Sequence, residues 1–275
     1  MKIAVTGASG FVGRHVLAEL SRRGLPVVAA SRGIGSPRPR EGAHGEVLWV
    51  SFDHHSDNAE SAFIRLGSPD VLFHLAWSGL SNFNDPQHFE SELPTQYRFL
   101  RALIRSGLRR VVIAGTCLEY GMQSGALSVD TPTAPTTAYG FAKDTLRRQL
   151  EFLRLHDDYE LIWARLFYMY GDGQSENSLY SMLRAAVARG DLTFPMSAGE
   201  QLRDYLPIGT IARQLVDLAY EDSPRRLLNI CSGRPMSVRS LVERWVSENS
   251  WNIELDLGRY PYPDYEPLAF WGVPV

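Results

Sequence analysis

The amino terminus of the chain places a short apolar run directly before three evenly spaced glycines. The run Lys2 to Thr6 predicts a β-strand, and Gly7-Ala-Ser-Gly10-Phe-Val-Gly13 then opens a stretch with helical periodicity that continues to about Arg23. Such glycines permit a tight turn, bring backbone N–H groups close to a pyrophosphate at the helix N-terminus, and let helix and strand pack closely. The pattern therefore predicts a parallel α/β sheet that binds a dinucleotide at its first turn.

Strands and helices alternate beyond this turn, as is typical of a doubly wound parallel sheet of the Rossmann type. Further strands are predicted at 26–30, 46–50, 70–76, 110–114 and 161–167, and helices at 88–106 and 137–155. After Gly171 the pattern loosens into helices at 179–189, 211–220 and 238–248 and a strand at 227–230. We therefore predict a dinucleotide-binding domain at 1–170, with possible later returns to the sheet, and a smaller α/β substrate-binding cap at 171–275.

Composition excludes several classes of function. With 275 residues, 44% of them hydrophobic, and a formal net charge of -3, the chain is expected to form a large core and to bind no nucleic acid. Cys117 and Cys231 have no Cys or His cluster around them, so neither a disulfide framework nor a metal site is predicted. His74 is expected to be a core residue. No apolar run is long enough to span a bilayer, so we expect no membrane association and a cytoplasmic location.

A tyrosine and a lysine lie four residues apart in Ala138-Tyr139-Gly-Phe-Ala-Lys143, within the predicted helix at 137–155. This spacing puts both side chains on one helix face. An ammonium beside a phenol lowers the pKa of the phenol from about 10, which suits a group that transfers protons near neutral pH. The spacing alone is also typical of a solvated surface pair. The glycine turn, together with the hydroxyl of Thr116 just after a strand, favours a redox active site.

The end of the second predicted strand bears on the choice of cofactor. Ser31 and Arg32 stand where an NAD enzyme usually presents an acidic residue to the ribose 2′-hydroxyl. A hydroxyl and a guanidinium suit a 2′-phosphate instead, so NADP(H) is favoured, while NAD(H) stays possible if Arg32 is only a solvated loop residue. Asp53 is expected either to reach the adenine edge or to cap a turn.

The predicted cofactor contacts combine the glycine turn, the ends of the second, third and fourth strands, and the lysine. They are Gly7, Ser9, Gly10, Phe11, Val12, Gly13, Ser31, Arg32, Asp53, Leu75, Ala76 and Lys143.

Taken together, these motifs resemble the extended short-chain dehydrogenase/reductases, and within them the NAD(P)-dependent nucleotide-sugar epimerase/dehydratase/reductase family. The resemblance covers essentially the whole chain. It rests on Thr6–Gly13, Asp70-Val-Leu-Phe-His-Leu-Ala76, Thr116 and Tyr139-x-x-x-Lys143, and on three later segments, Arg165-Leu-Phe-Tyr-Met-Tyr-Gly171, Arg203-Asp-Tyr205 and Asn229-Ile-Cys-Ser-Gly233.

The resemblance implies roles for individual residues. Tyr139 would be the general acid/base, Lys143 would hold the nicotinamide ribose and lower the tyrosine pKa, and Thr116 would complete the catalytic triad. A nucleoside-diphosphate sugar would be the substrate, and a homodimer is possible. The expected substrate contacts are Trp77, Thr116, Tyr139, Tyr168 and Arg203.

Departures from the family pattern narrow the reaction. Dehydratases of the family place Asp and Glu directly after the threonine, whereas this chain has Cys117 and Leu118, and Glu119, one position later, is expected to face the opposite side. The catalytic cysteine of the GDP-sugar 3,5-epimerase/reductases corresponds to Leu118. The asparagine of the R-x-x-N element is Tyr168, so the sugar pocket is expected to differ.

These features favour NADPH-dependent reduction of the 4-keto group of a nucleoside-diphosphate 4-keto-6-deoxyhexose, a step of deoxysugar and polysaccharide biosynthesis. Two alternatives stay open. The first is a nucleotide-sugar 4-epimerase, although such enzymes generally prefer NAD. The second is a non-catalytic NADP-binding regulator, since fold does not fix function.

Overall fold

The computed structural model describes residues 1–33, 46–220 and 226–274. Its strands, in chain order, are β1 (Ile3–Thr6), β2 (Val27–Ser31), β3 (Val47–Ser51), β4 (Val71–His74), β5 (Arg110–Thr116), β6 (Gly125–Leu127), β7 (Glu160–Leu166), β8 (Tyr168–Tyr170), β9 (Thr193–Pro195), β10 (Leu202–Arg203), β11 (Tyr205–Pro207), β12 (Leu227–Ile230), β13 (Met236–Ser237), β14 (Glu254–Asp256) and β15 (Phe270–Gly272). Its helices are α1 (Phe11–Arg22), α2 (Ala62–Arg65), α3 (Leu93–Arg105), α4 (Ala138–Leu153), α5 (Leu179–Arg189), α6 (Ile208–Leu218) and α7 (Val238–Glu248).

Seven parallel strands form the central sheet in the order β12-β7-β5-β4-β1-β2-β3. This is the Rossmann-type doubly wound fold that the alternating pattern predicts. The chain order reverses between β1 and β4, so the loops that leave these two strands diverge and open a crevice at their carboxyl ends. The fold therefore fixes where a ligand can bind.

The two faces of the sheet carry separate cores because successive side chains of a strand point to opposite sides. Val5 belongs to the core beneath α1 and α6, while its neighbour Ala4 belongs to the core beneath α2, α3 and α4. Both faces are covered, which explains why the inner strands read as continuous apolar runs. A third core, around Leu241 and Trp245, lies beneath the cap elements α5 and α7.

The predicted helix at 88–106 is divided in the structure. A π-helical turn at His88–Glu92 precedes α3, and Pro94 stands in the first turn of that helix. Proline lacks the N–H of a regular helical bond and its ring crowds the preceding turn, which accounts for the wider turn before it. As a result, Glu92 is buried at the join.

Two elements beyond residue 170 return to the body of the sheet. Strand β12 pairs with β7, and α6 contributes Ile211 and Leu215 to the core that contains β1 and α1. The pattern at 211–220 predicted only the later part of this helix, which begins at Ile208 directly after Pro207. Proline is well suited to a helix start because its φ is already helical there.

The C-terminal residues pack back onto the body. Strand β15 pairs in parallel with β6, and Ala269 forms a bridge with Leu202. The apolar and aromatic composition of this segment thus serves packing across the cap. In the described parts of the chain, none of the helices has the length and apolar content needed to cross a membrane.

Gly13 shows how the first turn constrains the sequence. A Cβ added at Gly13 would collide with the carbonyl oxygen of Gly7 and approach the Cα of Ala8 to 2.9 Å. We expect Gly13→Ala to lower the free energy of unfolding by about 1 to 3 kcal/mol, the cost of overpacking a filled site. Thermal and urea unfolding would measure this.

Gly209→Ala is the matched control, because Gly209 lies in α6 and an added Cβ there would meet nothing within 4 Å. It should leave stability unchanged or raise it, as alanine favours a helix over glycine. Equal stability of the two variants would contradict the packing argument.

Candidate active site

A cavity of about 500 Å³ opens at the carboxyl ends of the parallel strands, over the point where their order reverses. It brings together residues from widely separated stretches of the chain. Of the predicted site residues it is lined by Gly7, Ser9, Gly10, Phe11, Val12, Gly13, Ser31, Arg32, Asp53, Leu75, Ala76, Trp77, Thr116, Tyr139, Lys143 and Tyr168. Arg203 lies outside it.

The glycine turn leaves room for a ligand against the backbone. Gly7 has a φ of 68°, and a Cβ there would come within 2.6 Å of the Ala76 nitrogen. Gly10 is the N-cap of α1 and offers no side chain, so the N–H groups of the first helical turn face the cavity. This bare helix terminus leaves space for the pyrophosphate that the sequence pattern predicts there.

The ends of β2 and β3 form the opposite wall. The buried Ser31 hydroxyl donates to the Gly33 carbonyl at 3.0 Å, while Arg32 is exposed. Asp53 accepts the His55 N–H at 3.0 Å, so its carboxylate shapes a turn while the residue also lines the cavity. His54 lines the same wall, and burial lowers its pKa to about 4. It is therefore neutral in the free protein.

A buried polar group from the π-helical turn completes this wall, and sequence reasoning missed it. Glu92 accepts the Ser78 N–H at 3.0 Å and the Gln96 side-chain amide at 2.6 Å, and it pairs with His55 Nε2 at 2.8 Å. Glu92 and Gln96 both line the cavity. The only signal in the sequence was two polar residues four apart on the buried face of a helix.

His74 behaves as a core residue. It is fully buried, and its Nδ1 lies 2.8 Å from the Thr6 hydroxyl of the neighbouring strand. Burial lowers the pKa of His74 well below its usual value, so the ring is neutral.

Lys143 is the buried cation of the cavity. Its ammonium donates to the Ala114 carbonyl at 2.8 Å and lies 4.1 Å above the Trp77 ring. Burial lowers the pKa of Lys143 to about 7, against an opposing effect from the carboxylates of Glu119 and Glu92. The ammonium is therefore poised between its charged and neutral forms near physiological pH, which an arginine at this position could not be.

The Tyr139 ring is enclosed by aromatic neighbours. Phe83 stacks on it at 5.5 Å, and Trp77 and His88 approach it at 5.8 and 5.3 Å. Among the described residues, its hydroxyl has no hydrogen-bond partner, and its ring centroid lies 5.9 Å from the Lys143 nitrogen.

The pKa expected for Tyr139 needs correction. We predicted that Lys143 lowers it, whereas in the free protein burial raises the pKa of Tyr139 and nearby carboxylate charge acts in the same direction. The reason is that the ammonium points toward the Ala114 carbonyl and the Trp77 face. The tyrosine is therefore held protonated.

Thr116 ends β5 and caps the short 3₁₀ turn that follows it. Its hydroxyl accepts the Leu118 N–H at 3.2 Å, and the Glu119 carboxylate accepts the Thr116 N–H at 2.9 Å in return. Glu119 also accepts from Trp163 Nε1 and Arg165 Nε, so it faces the interior and not the cavity, as its sequence position suggested. Cys117 and Leu118 line the cavity instead.

Arg203, which is expected to contact substrate, and its neighbour Asp204 are both largely engaged within the protein. Arg203 donates to the carbonyls of Leu202, Pro267 and Leu268, and it lines a second cavity of about 280 Å³. The buried Asp204 accepts the backbone N–H groups of Ser232 and Gly233 and so holds that turn. Asp204 therefore has a structural role that its sequence context did not reveal.

Tyr168 lies between the two cavities and lines both. It occupies the position of the family asparagine. Its hydroxyl donates to the carboxylate of Glu266, which also lies 3.2 Å from Arg203 Nη2. Within residues 1–33, 46–220 and 226–274, no group of three or more His, Cys, Asp or Glu side chains is placed to hold a metal ion.

Comparison with known proteins agrees with this geometry. A profile of the NAD dependent epimerase/dehydratase family matches residues 3–231. The dTDP-6-deoxy-L-talose 4-dehydrogenase (NAD(+)) of Aggregatibacter actinomycetemcomitans is 30% identical over 277 residues, which cover 99% of both chains. The dTDP-6-deoxy-L-talose 4-dehydrogenase (NAD(P)(+)) of Kitasatospora kifunensis is 28% identical over 96% of this chain and 83% of its own.

A solved structure with the same architecture is MoeE5 in complex with UDP-glucuronic acid and NAD. It superimposes with a TM-score of 0.81 at 26% identity, covering 99% of this chain and 90% of that one.

The state of Lys143 predicts how cofactor binding depends on pH. Because the pKa of Lys143 is about 7 in the free protein, its ammonium is present below that pH and is lost as pH rises through it. We expect affinity for the dinucleotide to fall between pH 6 and 9, by at most about tenfold per pH unit for a single proton. Calorimetric titration of the nicotinamide cofactor at several pH values would measure this.

Lys143→Met should bind more weakly and lose the dependence on pH. The chain has only one other lysine, Lys2, whose Lys2→Met variant serves as the control. An unchanged pH profile in Lys143→Met would assign the titration to another group.

Proposed function

The chain belongs to the NAD-dependent epimerase/dehydratase family, and we propose that within it the chain is a reductase of a nucleoside-diphosphate 4-keto-6-deoxyhexose. The observation that carries this proposal is the composition of the cavity beside Tyr139. Two uncharged residues, Cys117 and Leu118, follow Thr116 on the cavity wall, and burial raises the pKa of the Cys117 thiol.

This wall disfavours elimination of water. Removing a sugar hydroxyl requires an acid beside the leaving group. The nearest carboxylate in sequence, Glu119, is turned into the interior and paired with Arg165 at 2.7 Å. Proton transfer at this wall is therefore left to Tyr139 and Thr116, which suits a ketone and its alcohol.

The protonated state of Tyr139 suits the general acid that reduction of a ketone requires. A bound nicotinamide cofactor would supply the hydride for the carbonyl carbon. The Tyr139 hydroxyl, kept protonated by burial, donates its proton to the carbonyl oxygen as that oxygen becomes an alkoxide, and the product is the alcohol. The Thr116 hydroxyl supports the same oxygen, and Lys143 holds the nicotinamide ribose of the cofactor, as the family resemblance implies.

NADPH is the proposed reductant. The relatives are named for NAD(+) and NAD(P)(+), so the family allows either cofactor. In this chain Ser31 and Arg32 line the cavity at the end of β2, where a guanidinium can pair with a 2′-phosphate. The exposed position of Arg32 leaves it free to rotate toward that phosphate.

The two neighbouring cavities, which share Tyr168 in their walls, suit a nucleotide sugar. The sugar would lie beside Tyr139 in the first cavity, and the nucleotide would extend past Tyr168 into the second, which Phe194, Tyr205 and Tyr260 line with aromatic rings. Both relatives act on dTDP-linked 6-deoxysugars by name. We infer the same substrate class here.

The acid/base role of Tyr139 can be tested by Tyr139→Phe. The variant should bind NADPH almost normally, while reduction of dTDP-4-keto-6-deoxyglucose or its GDP-linked counterpart falls by about 10² to 10⁴-fold, the usual contribution of a general acid. Loss of the reduced nicotinamide absorbance measures turnover.

Tyr97→Phe is the control, since Tyr97 lies on α3 and does not line the cavity. Full activity of Tyr139→Phe would remove the assignment. Isomer formation from a UDP- or dTDP-hexose without net NADPH use would establish an epimerase, and inactivity with every substrate would favour the regulator.

The role of Arg32 can be tested separately. Arg32→Ala should raise KM for NADPH by about tenfold or more, the value of one charge-assisted contact to phosphate, and should leave KM for NADH nearly unchanged. Arg189→Ala, which removes an exposed arginine that pairs with Asp191, is the control. An equal effect of Arg32→Ala on KM for both cofactors would show that Arg32 does not bind the 2′-phosphate of NADPH.

A further inference from the structure

Residues 260–268, which we call the strap, supply side chains to both cavities. Tyr265 reaches the first cavity and contacts Phe83, which stacks on Tyr139. Glu266 reaches the second cavity with Tyr260 and Pro263. The strap therefore borders both cavities, and a ligand that occupied both would have to pass along it.

Glu266 is held in place by two partners. Its side chain is only 9% exposed, the Tyr168 hydroxyl donates to one carboxylate oxygen, and Arg203 Nη2 lies 3.2 Å from the other. Arg203 is anchored independently by the carbonyls of Pro267 and Leu268. Movement of the Glu266 side chain alone would therefore free part of the guanidinium while leaving the strap in place.

Arg203 is the one cation that lines the second cavity in the described part of the chain. A nucleoside-diphosphate sugar with its reacting carbon at Tyr139 and its nucleoside in the second cavity must carry its diphosphate past Tyr168. Arg203 is then the cation available to pair with the diphosphate, but in the free protein the Glu266 carboxylate already pairs with that guanidinium.

We propose that Glu266 determines affinity for the substrate by occupying, in the free protein, the edge of Arg203 that the diphosphate takes in the complex. This inference rests on the proposed function, because it requires a nucleotide sugar. The carboxylate thus acts as an internal competitor: it neutralises a buried guanidinium until the ligand arrives, and it must turn away when the diphosphate binds.

The proposal separates the diphosphate from the rest of the ligand. A nucleoside without phosphates does not compete with Glu266 for Arg203, so its binding should be indifferent to the carboxylate. A nucleoside diphosphate should bind more tightly once the competing charge is removed. Loosening of the strap would instead improve access for both kinds of ligand.

The experiment is calorimetric titration of the full chain, loaded with cofactor, with UDP, dTDP and GDP and with the matching nucleosides. Glu266→Gln keeps the size of the side chain and one acceptor oxygen but cannot ionise. Because burial raises the pKa of Glu266 to about 7, the titrations are run above that pH, where the wild-type side chain is a carboxylate. We expect the variant to bind the preferred nucleoside diphosphate about tenfold more tightly than the wild type, with nucleoside affinity unchanged.

Glu200→Gln is the matched control. Glu200 also contacts the strap, since it accepts from the Tyr262 hydroxyl at 3.0 Å, but it lines neither cavity. It should behave as the wild type does. Unchanged or weaker diphosphate binding by Glu266→Gln, or an equal gain for diphosphate and nucleoside, would overturn the proposal.

Tyr168→Phe supplies a second test if Glu266→Gln fails to fold. It retains the carboxylate and its ion pair but removes one hydrogen bond that holds Glu266 in place. A smaller gain in diphosphate affinity would support the proposal, and no gain would overturn it. If the wild-type protein binds none of the nucleotides and turns over no nucleotide sugar, the proposed function itself fails, whereas nucleotide binding without any gain refutes only the role of Glu266.

Discussion

A buried carboxylate in the turn directly after β5 organises the candidate active site. Glu119 is fully buried and accepts hydrogen bonds from the Thr116 backbone, the Trp163 indole and the Arg165 guanidinium. These contacts tie β5 to β7 and set the direction in which the chain leaves the sheet. Because an unpaired charge in this position would be very costly, the turn after Thr116 has little freedom to adopt another conformation.

The consequences extend outward from that turn. Arg165 also donates to the Tyr120 hydroxyl at 2.9 Å, and this hydroxyl lies 2.7 Å from Asn229 on β12. The side-chain amide of Asn229 in turn donates to Leu127 on β6, the strand that pairs with the C-terminal β15. One polar network thus runs from Thr116 to the returning end of the chain, and it gives Arg165 and Asn229 a structural role in their two motifs.

The buried surroundings of Tyr139 and Lys143 determine the protonation states of these two side chains in the cavity. The Tyr139 ring is surrounded by Trp77, Phe83 and His88, and the Lys143 ammonium faces a carbonyl and an aromatic ring. In such surroundings burial acts more strongly than the neighbouring charges, so the pKa of the tyrosine is raised and that of the lysine is lowered. A protonated Tyr139 and a Lys143 side chain that changes its charge near pH 7 suit the proposed reduction of a ketone.

The sequence by itself determined the features that depend on local chemistry. The glycine spacing predicted the turn at Gly7, and the apolar runs predicted the seven strands of the sheet to within a few residues. The four-residue interval between Tyr139 and Lys143 predicted that both lie on one side of α4, and both line the cavity. Only the tertiary structure decided where a long side chain points and which distant groups it meets. Arg203 contacts carbonyls and Glu266 from the C-terminal strap, Glu92 pairs with His55 in the cavity wall, and the Lys143 ammonium points toward Ala114 and Trp77. These outcomes depend on contacts between residues tens of positions apart, and periodicity and propensity act only over a few residues.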